Sequence, residues 1–500
     1  MPRHKTTTEC ATGLGSKVAR KQKVKAGKSN IWNPSVCYII PEKKTKSSFT
    51  TKKETNLNIP PSCGVEFLRM TSSNFLRKQL TKLRKSYRND EDDGSMKPAV
   101  MAYERWLMRY FLQNTVTTDD DDPIIPSPSD DMEIDAGFVK DLVKTGGDTE
   151  ETARKVVEDF YKLSKTAALA ISKEKCKKSC LEKVVVLQHR HSFDVILSKN
   201  KDKLLKINPD HYEKLKVMYM KQQSTEQKLV GNKRKEKEGK IETVFDVSEF
   251  HRRLFCVLSR YHSIQGHGFQ AACTEHVFDV LHEYFDVNLE CFASPLNSRY
   301  PRYCSAFPDT DACFGSLGSF FNFHPTSGSF QANPPFEPVV MLTMVLHMEL
   351  LFSKADGPLS FIVVVPGWKE CEAFQLLTSS PFMKKSVPIA QADHGFCDGA
   401  SHQRRDRYRI SPYDTYFFFL QNEKAAEKWH ITQAAISELK AAMANGVPSP
   451  SMQARHDKSG RGTDDLARGV YKGKKSKATG DGVMKRKREE IRVKKQRQKI

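Results

Sequence analysis

The chain has 500 residues, of which 38% are hydrophobic and 28% charged, and a formal net charge of +21. That length calls for two or three compact units with linkers, and the modest hydrophobic share suggests a core with solvated segments attached. A membrane protein and a secreted one are both disfavoured. The longest mostly apolar stretch, Val339–Phe352, contains His347 and Glu349 and falls short of the roughly 18 residues of a span. The start Met1-Pro2-Arg3-His4-Lys5 has no apolar signal region, and twelve cysteines spread from Cys10 to Cys397 suit a reducing compartment.

The basicity is concentrated at the two ends. Residues 1–53 carry thirteen Lys/Arg against Glu9 and Glu42, and residues 455–500 carry seventeen against six acids. The body between is nearly neutral. Such ends suit a polyanion such as RNA or DNA, and equally suit solubility and nuclear import.

In chain order, residues 1–58 lack periodicity and are expected to be a disordered basic tail. A helical pattern runs from Cys63 to about Gln113. An acidic, Pro-containing loop follows, with Asp119–Asp122, Pro123, Pro126, Pro128, Asp130 and Asp131, read as a solvated insertion. Helical periodicity returns over residues 137–220, and Gln222–Lys240 reads as a Lys-rich exposed loop. Two further helices are predicted at Glu249–His262 and Glu275–Phe285. Beyond Asp286 short strand-like runs appear, at Leu289–Ala293, Phe320–Phe323, Phe330–Ala332, Ser360–Val365 and Thr415–Leu420. Val339–Phe352, apolar nearly all round, reads as a buried helix. Strands alternating with helices point to an α/β domain with a parallel sheet. The expected organisation is a basic tail (1–58), an all-helical domain with loop insertions (59–285), an α/β domain (286–445) and a second basic tail (446–500). The last contains Lys485-Arg486-Lys487-Arg488, a pattern that suits nuclear import.

Cys176, Cys180, His189 and His191 superficially resemble a zinc set, but their spacing matches no closed zinc motif, so no metal is expected. Gly266-His267-Gly268 and Gly315-Ser316-Leu317-Gly318 complete no dinucleotide fingerprint and read as turns. Asn333-Pro334-Pro335-Phe336 says more. It follows a predicted strand, and open α/β sheets place their sites at the carboxyl ends of strands. An exocyclic amino group on adenine or cytosine is a poor nucleophile, because its lone pair is delocalised into the ring. An Asn side-chain oxygen and a backbone carbonyl can accept its two hydrogens and stabilise the positive charge that develops during methyl transfer. Proline holds that carbonyl on a stiff backbone. The aromatic ring at the fourth position stacks on the base, worth about 1–3 kcal/mol. No general base is required, since the proton can leave to solvent.

Further stretches carry a resemblance. They are Glu290-Cys291-Phe292-Ala293-Ser294-Pro295-Leu296-Asn297, Tyr303 to Asp311, Phe314-Gly315-Ser316, Gly328 to Phe336, Pro358 to Val363, Pro366-Gly367-Trp368 and Phe418 to Asn422. Together they resemble the phosphorylated-CTD-interacting factor family of cap-specific adenosine N6-methyltransferases, over about residues 249–445. Gly268-Phe269-Gln270-Ala271 and His276-Val277-Phe278 match loosely.

The resemblance implies a Rossmann-like methyltransferase domain packed on a helical domain, and a nuclear, monomeric enzyme. S-adenosyl-L-methionine would be the cofactor. The substrate would be capped mRNA whose first transcribed nucleotide is 2′-O-methyladenosine. By position, Asn333, Pro334, Pro335 and Phe336 are the catalytic tetrapeptide. Phe292, Ser294, Pro295 and Asn297, with Asn333 and Pro334, hold the cofactor. Phe336, Glu337 and Trp368 meet the substrate, Trp368 on the cap side, where a cationic 7-methylguanine would gain from an indole face. Arg77, Arg84 and Arg105 are candidates for the cap phosphates.

Two departures stand out. Family members in vertebrates carry a WW domain, which needs two tryptophans about twenty residues apart. Trp32, Trp106, Trp368 and Trp429 do not supply them, so the domain is expected to be missing. The usual ground for recruitment to the phosphorylated RNA polymerase II tail then goes with it. The family also places an acid one residue later than Glu337, where this chain has Pro338. Alternative readings are an N6-adenine methyltransferase acting on internal RNA or DNA, and a catalytically silent RNA-binding adaptor.

Overall fold

The computed structural model describes residues 61–88, 97–113, 122–129, 132–175, 182–200, 204–231, 245–265, 270–403 and 407–447. Both predicted tails (but for Gly446 and Val447), Cys176, Cys180 and the Gly266–Gly268 turn lie outside the described residues. All described residues belong to one compact unit. Among them no helix is long and apolar enough to cross a membrane.

The first half is built on helices α1 (Cys63–Arg88), α2 (Lys97–Gln113), α3 (Ala136–Gly146) and α4 (Glu150–Lys175). Trp106 sits at their centre, stacked on Phe138 and Tyr161 with ring centroids 5.2 and 5.1 Å away. The expectation of an all-helical first half is corrected. Strands β1 (Val184–Gln188), β2 (Phe193–Leu197) and β3 (Leu204–Ile207) form an antiparallel sheet within the stretch predicted helical. Phe193, Val195 and Leu197 are buried and alternate with half-buried Asp194 and Ile196, the period of a half-buried strand. Helices α5 (Pro209–Gly231) and α6 (Val247–Ile264) follow. The predicted Lys-rich loop therefore begins ten residues too early, since α5 runs on to Gly231. Of the acidic loop, Asp119–Asp121, Asp130 and Asp131 lie outside the described residues, and over residues 122–129 it is not a plain solvated insertion. Asp122 is buried, receives the Arg69 guanidinium at 2.8 Å, and accepts the Ile124 and Ile125 amides on its other oxygen.

The second half is a mixed sheet between helical layers. Its core strands are β4 (Gly328–Ala332), β5 (Leu359–Pro366), β6 (Met383–Ile389) and β9 (Thr415–Gln421), in the order β4-β5-β9-β6. β7 (Gly395–Cys397) and β8 (Tyr408–Ile410) form a separate hairpin. β4 and β5 are parallel, but β9 runs antiparallel to both β5 and β6, so the expected all-parallel sheet is corrected to a mixed one. Beyond β4, single parallel bridges join Gln331 to Glu290, Glu290 to Tyr303 and Tyr303 to Ser316. They carry the sheet on through three extended segments. The predicted strand at Leu289–Ala293 is the first of these.

β5 is buried along its whole length, as a continuous apolar run in a central strand should be. Helices α7 (Glu275–Phe285) and α12 (Gln433–Ala444) pack on the face of Ile362 and Val364. Helices α9 (Pro338–Ser353) and α10 (Glu372–Ser379) pack on the face of Phe361 and Val363. α9 is less enclosed than predicted, since Leu346 and Leu350 are exposed. Phe320–Asn322 is a 3₁₀ turn rather than a strand. Buried Phe320 and Phe323 are three apart, the period of that turn. Gly315 lies in a turn, as expected, whereas Gly318 lies in irregular chain; both have positive φ, and a Cβ on Gly315 would meet the Pro301 carbonyl oxygen at 2.3 Å.

Candidate active site

The tetrapeptide sits where β4 ends and α9 begins. Pro334 and Pro335 have no N–H to donate, so the strand cannot continue. Glu337 then caps α9, its Oε2 accepting the Val339 and Val340 amides at 2.8 and 3.1 Å, with Pro338 in the first turn. The Pro335 carbonyl accepts the Glu337 amide at 2.8 Å. The junction is thus fixed from both sides.

Asn333 is held at one end only. Its Nδ2 donates to the Ala271 carbonyl at 2.9 Å, while its Oδ1 is buried without a hydrogen-bond partner. An unmet buried carbonyl oxygen costs about 1–3 kcal/mol. Such a cost persists at sites where a ligand supplies the missing donor. Phe336 is half-buried nearby, with Trp368 at 6.5 Å and Phe396 at 6.2 Å between ring centroids. Trp368 stands edge-on to Tyr413 at 5.1 Å. The loop carrying Trp368 is clasped to the turn carrying Tyr413, because the Gly367 amide donates to the Asp414 carbonyl at 2.8 Å. Tyr413 was not foreseen, as nothing in the sequence links a residue before β9 to the end of β5.

The predicted cofactor residues follow Glu290, in the next segment of the sheet. Asn297 Oδ1 accepts the Ser294 amide at 2.7 Å and its hydroxyl at 3.0 Å, closing a tight turn over Ser294-Pro295-Leu296-Asn297. Asn297 Nδ2 donates to the Gln270 carbonyl at 3.0 Å. Neighbouring carbonyls of one segment therefore brace both the turn and the tetrapeptide. That segment is itself pinned by paired backbone hydrogen bonds between Ala272 and Cys397. Phe292 points elsewhere, into a ring cluster with Phe320 and Phe321 at 5.1 and 6.1 Å.

Glu337, expected to meet substrate, is buried and engaged in the α9 cap, and its Oε1 faces Arg109 Nη1 at 3.5 Å. Burial raises its carboxyl above the usual range, against the pull of the two amides and Arg109. Arg109 is shared with Asp135 at 3.1 Å and Asp141 at 3.3 Å. The arginine candidates are likewise engaged inside the protein. Arg77 donates to Ser73 and the Ser263 carbonyl, Arg84 pairs with Asp148 at 2.7 Å, and Arg105 pairs with Asp141 at 2.9 Å. His189, at the β1–β2 turn, is exposed and pairs with Asp194 at 2.9 Å.

The match to known proteins falls on the same elements. A family model described as Phosphorylated CTD interacting factor 1 WW domain matches residues 214–399. The human mRNA (2'-O-methyladenosine-N(6)-)-methyltransferase is 34% identical over 262 residues, which is 50% of this chain and 34% of the human protein. The mouse protein of the same name is 40% identical over 210 residues, 39% of this chain and 30% of the mouse protein. The chain spans about a third of the length of these curated relatives. The family match corrects the expectation that the WW domain is missing. Tryptophan spacing tested for a small two-tryptophan module. The model of that name matches a stretch from α5 to beyond β7 in which Trp368 is the only tryptophan.

Proposed function

We propose that this protein is an S-adenosylmethionine-dependent methyltransferase acting on the N6 amino group of the cap-adjacent 2′-O-methyladenosine of capped mRNA. The observation that carries this reading is the unpartnered buried Asn333 Oδ1 at the carboxyl end of β4. An amide clamped through its nitrogen presents its oxygen in a fixed direction, ready for an amino hydrogen. A proline carbonyl of the tetrapeptide supplies the backbone acceptor for the second hydrogen. With both hydrogens held, the lone pair on the amino nitrogen is directed out of conjugation with the ring. The Phe336 ring is the stacking surface for the base, and Trp368 and Tyr413 extend the aromatic wall.

The cofactor would supply a methyl group on a sulfonium. The turn from Ser294 to Asn297 fits its binding, because the brace on Gln270 and Ala271 ties that turn to Asn333. The names of the human and mouse relatives favour the cap-adjacent substrate over internal RNA or DNA. With this reading go a Rossmann-like methyltransferase part over 286–445, a largely helical part over 59–285, a monomeric state and a nuclear location suited to the basic ends. Methyl transfer from labelled S-adenosylmethionine to matched capped and uncapped RNAs, followed by nucleoside analysis, tests it.

A further inference from the structure

A lysine of the first half reaches into the second. α5 starts at Pro209, after Asn208, whose Oδ1 accepts the His211 amide at 2.9 Å in the manner of an N-cap. The Asn208 amide and Nδ2 in turn bond the carbonyls of His402 and Ser401, so the start of the helix is latched. One turn on, Lys214 is buried, and its ammonium donates to the carbonyls of Leu296 at 3.2 Å and Ser298 at 2.8 Å. On the other side of the same turn, Glu290 Oε1 accepts the amides of Arg299 at 2.6 Å and Tyr300 at 3.0 Å.

The polarity is complementary. A buried cation holds the carbonyls of 296 and 298, and a buried carboxylate holds the amides of 299 and 300. Both groups are costly to bury as ions, and both make hydrogen bonds to the main chain of this stretch. Main-chain hydrogen bonds of this kind fix a loop's path rather than a side chain's.

We propose that Lys214 is a positioning residue for the cofactor: through the Leu296 and Ser298 carbonyls, α5 sets the Ser294–Asn297 turn in its binding shape. This rests on the reading that the turn holds S-adenosylmethionine. The burial that raises the Glu290 carboxyl to about 7 is opposed first by the Tyr300 and Arg299 amides and then by the charges of Lys214 and Arg299. Lys214 therefore also favours the ionised carboxylate that grips the far side.

The test is calorimetric titration of S-adenosylhomocysteine into the full chain, with melting temperature and circular dichroism recorded in parallel. Lys214→Met should bind roughly ten- to a hundred-fold more weakly, because hydrogen bonds to a charged group are lost from the turn. Lys214→Arg, which keeps charge and donors, should recover part of that loss. Wild-type affinity in a folded Lys214→Met overturns the inference and leaves the cofactor reading standing. So does a smaller binding-competent fraction at unchanged affinity, the mark of a merely structural role. If Lys214→Met does not fold, Lys214→Gln decides in the same titration: weakened binding supports the inference and wild-type affinity overturns it. If the wild type binds no S-adenosylhomocysteine, the cofactor reading itself fails, and the inference with it.

Discussion

Asn297 and Asn333 donate their side-chain amides to consecutive main-chain carbonyls, Gln270 at 3.0 Å and Ala271 at 2.9 Å. The two side chains lie 36 residues apart, Asn333 directly after β4 and Asn297 in the turn that follows the segment of Glu290. One short strap thus sets the position of the turn assigned to the cofactor relative to the amide assigned to the reacting nitrogen. Methyl transfer needs such registration, since misplacement of reacting groups by an ångström can cost about a hundred-fold in rate.

Replacing Asn333 by Ala removes both the brace and the acceptor. Turnover should fall by roughly 10²–10³, as for loss of one preorganised transition-state contact. S-adenosylhomocysteine affinity should stay within a few-fold, since Asn297 still anchors the other turn. Asn333→Asp keeps the acceptor and loses the amide donor to Ala271, so it should not restore activity. Single-turnover rates and calorimetry separate these effects.

Arg109 neutralises three carboxylates at the base of the tetrapeptide, including the Glu337 cap. Arg109→Met should destabilise the fold by about 3–5 kcal/mol, the usual result of leaving buried charge unpaired. Adding Glu337→Gln should cost less than it does alone, because the two groups are in contact. A double-mutant cycle in chemical denaturation checks this, and strict additivity would show that the pair is not coupled.

Asp311 gives the stability a pH dependence. It is fully buried, accepts the Tyr261 hydroxyl at 2.5 Å and the Thr310 hydroxyl at 2.8 Å, and burial pushes its carboxyl up to about 7. With the folded value above the unfolded one, its contribution is full below the unfolded value and is lost as the pH rises through about 7. Glu290 acts with the same sign. His211, His251, His347 and His394, which burial holds below the usual imidazole range, act with the opposite sign, so the Asp311 contribution is read by difference. The melting temperature of Asp311→Asn relative to the wild type should rise from about pH 5 to about pH 8.

Much of the second half was legible in the sequence. Phe330–Ala332, Ser360–Val365 and Thr415–Leu420 are apolar enough to read as core strands, and α7 matches its predicted bounds. Edge strand β6 was missed because Lys384, Lys385 and Pro388 make it look like a loop, as protected edges often do. The antiparallel course of β9 is set by the chain's long return through β7 and β8, which residue periodicity does not encode. At the site, the tetrapeptide was visible as a motif. Its brace was not, because Ala271 contributes a backbone carbonyl, and any residue type carries one. The role of Glu337 as a helix cap was hidden too, since Glu is not among the usual capping residues.

The proposed reading gives Trp368 a part in substrate choice. As a cap-facing ring it should lose roughly 1–3 kcal/mol of capped-RNA binding on substitution by Ala, about 5- to 150-fold in KM. The effect on uncapped RNA of the same sequence should be smaller, because a cationic methylated guanine gains more from an indole face. Its edge contact with Tyr413 offers the contrasting outcome. Equal losses on both RNAs with a lowered melting temperature would mark Trp368 as a packing residue.

The central claim is tested most directly by one assay of the full chain. Labelled S-adenosylmethionine is incubated with two RNAs of one sequence, both beginning with 2′-O-methyladenosine and only one carrying the 7-methylguanosine cap. The products are digested to nucleosides and separated. The account predicts label in N6,2′-O-dimethyladenosine, from the capped RNA in large excess, and a rate lower by roughly 10²–10³ with Asn333→Ala. Label in another nucleoside, equal label from both RNAs, or undiminished transfer by Asn333→Ala would contradict it.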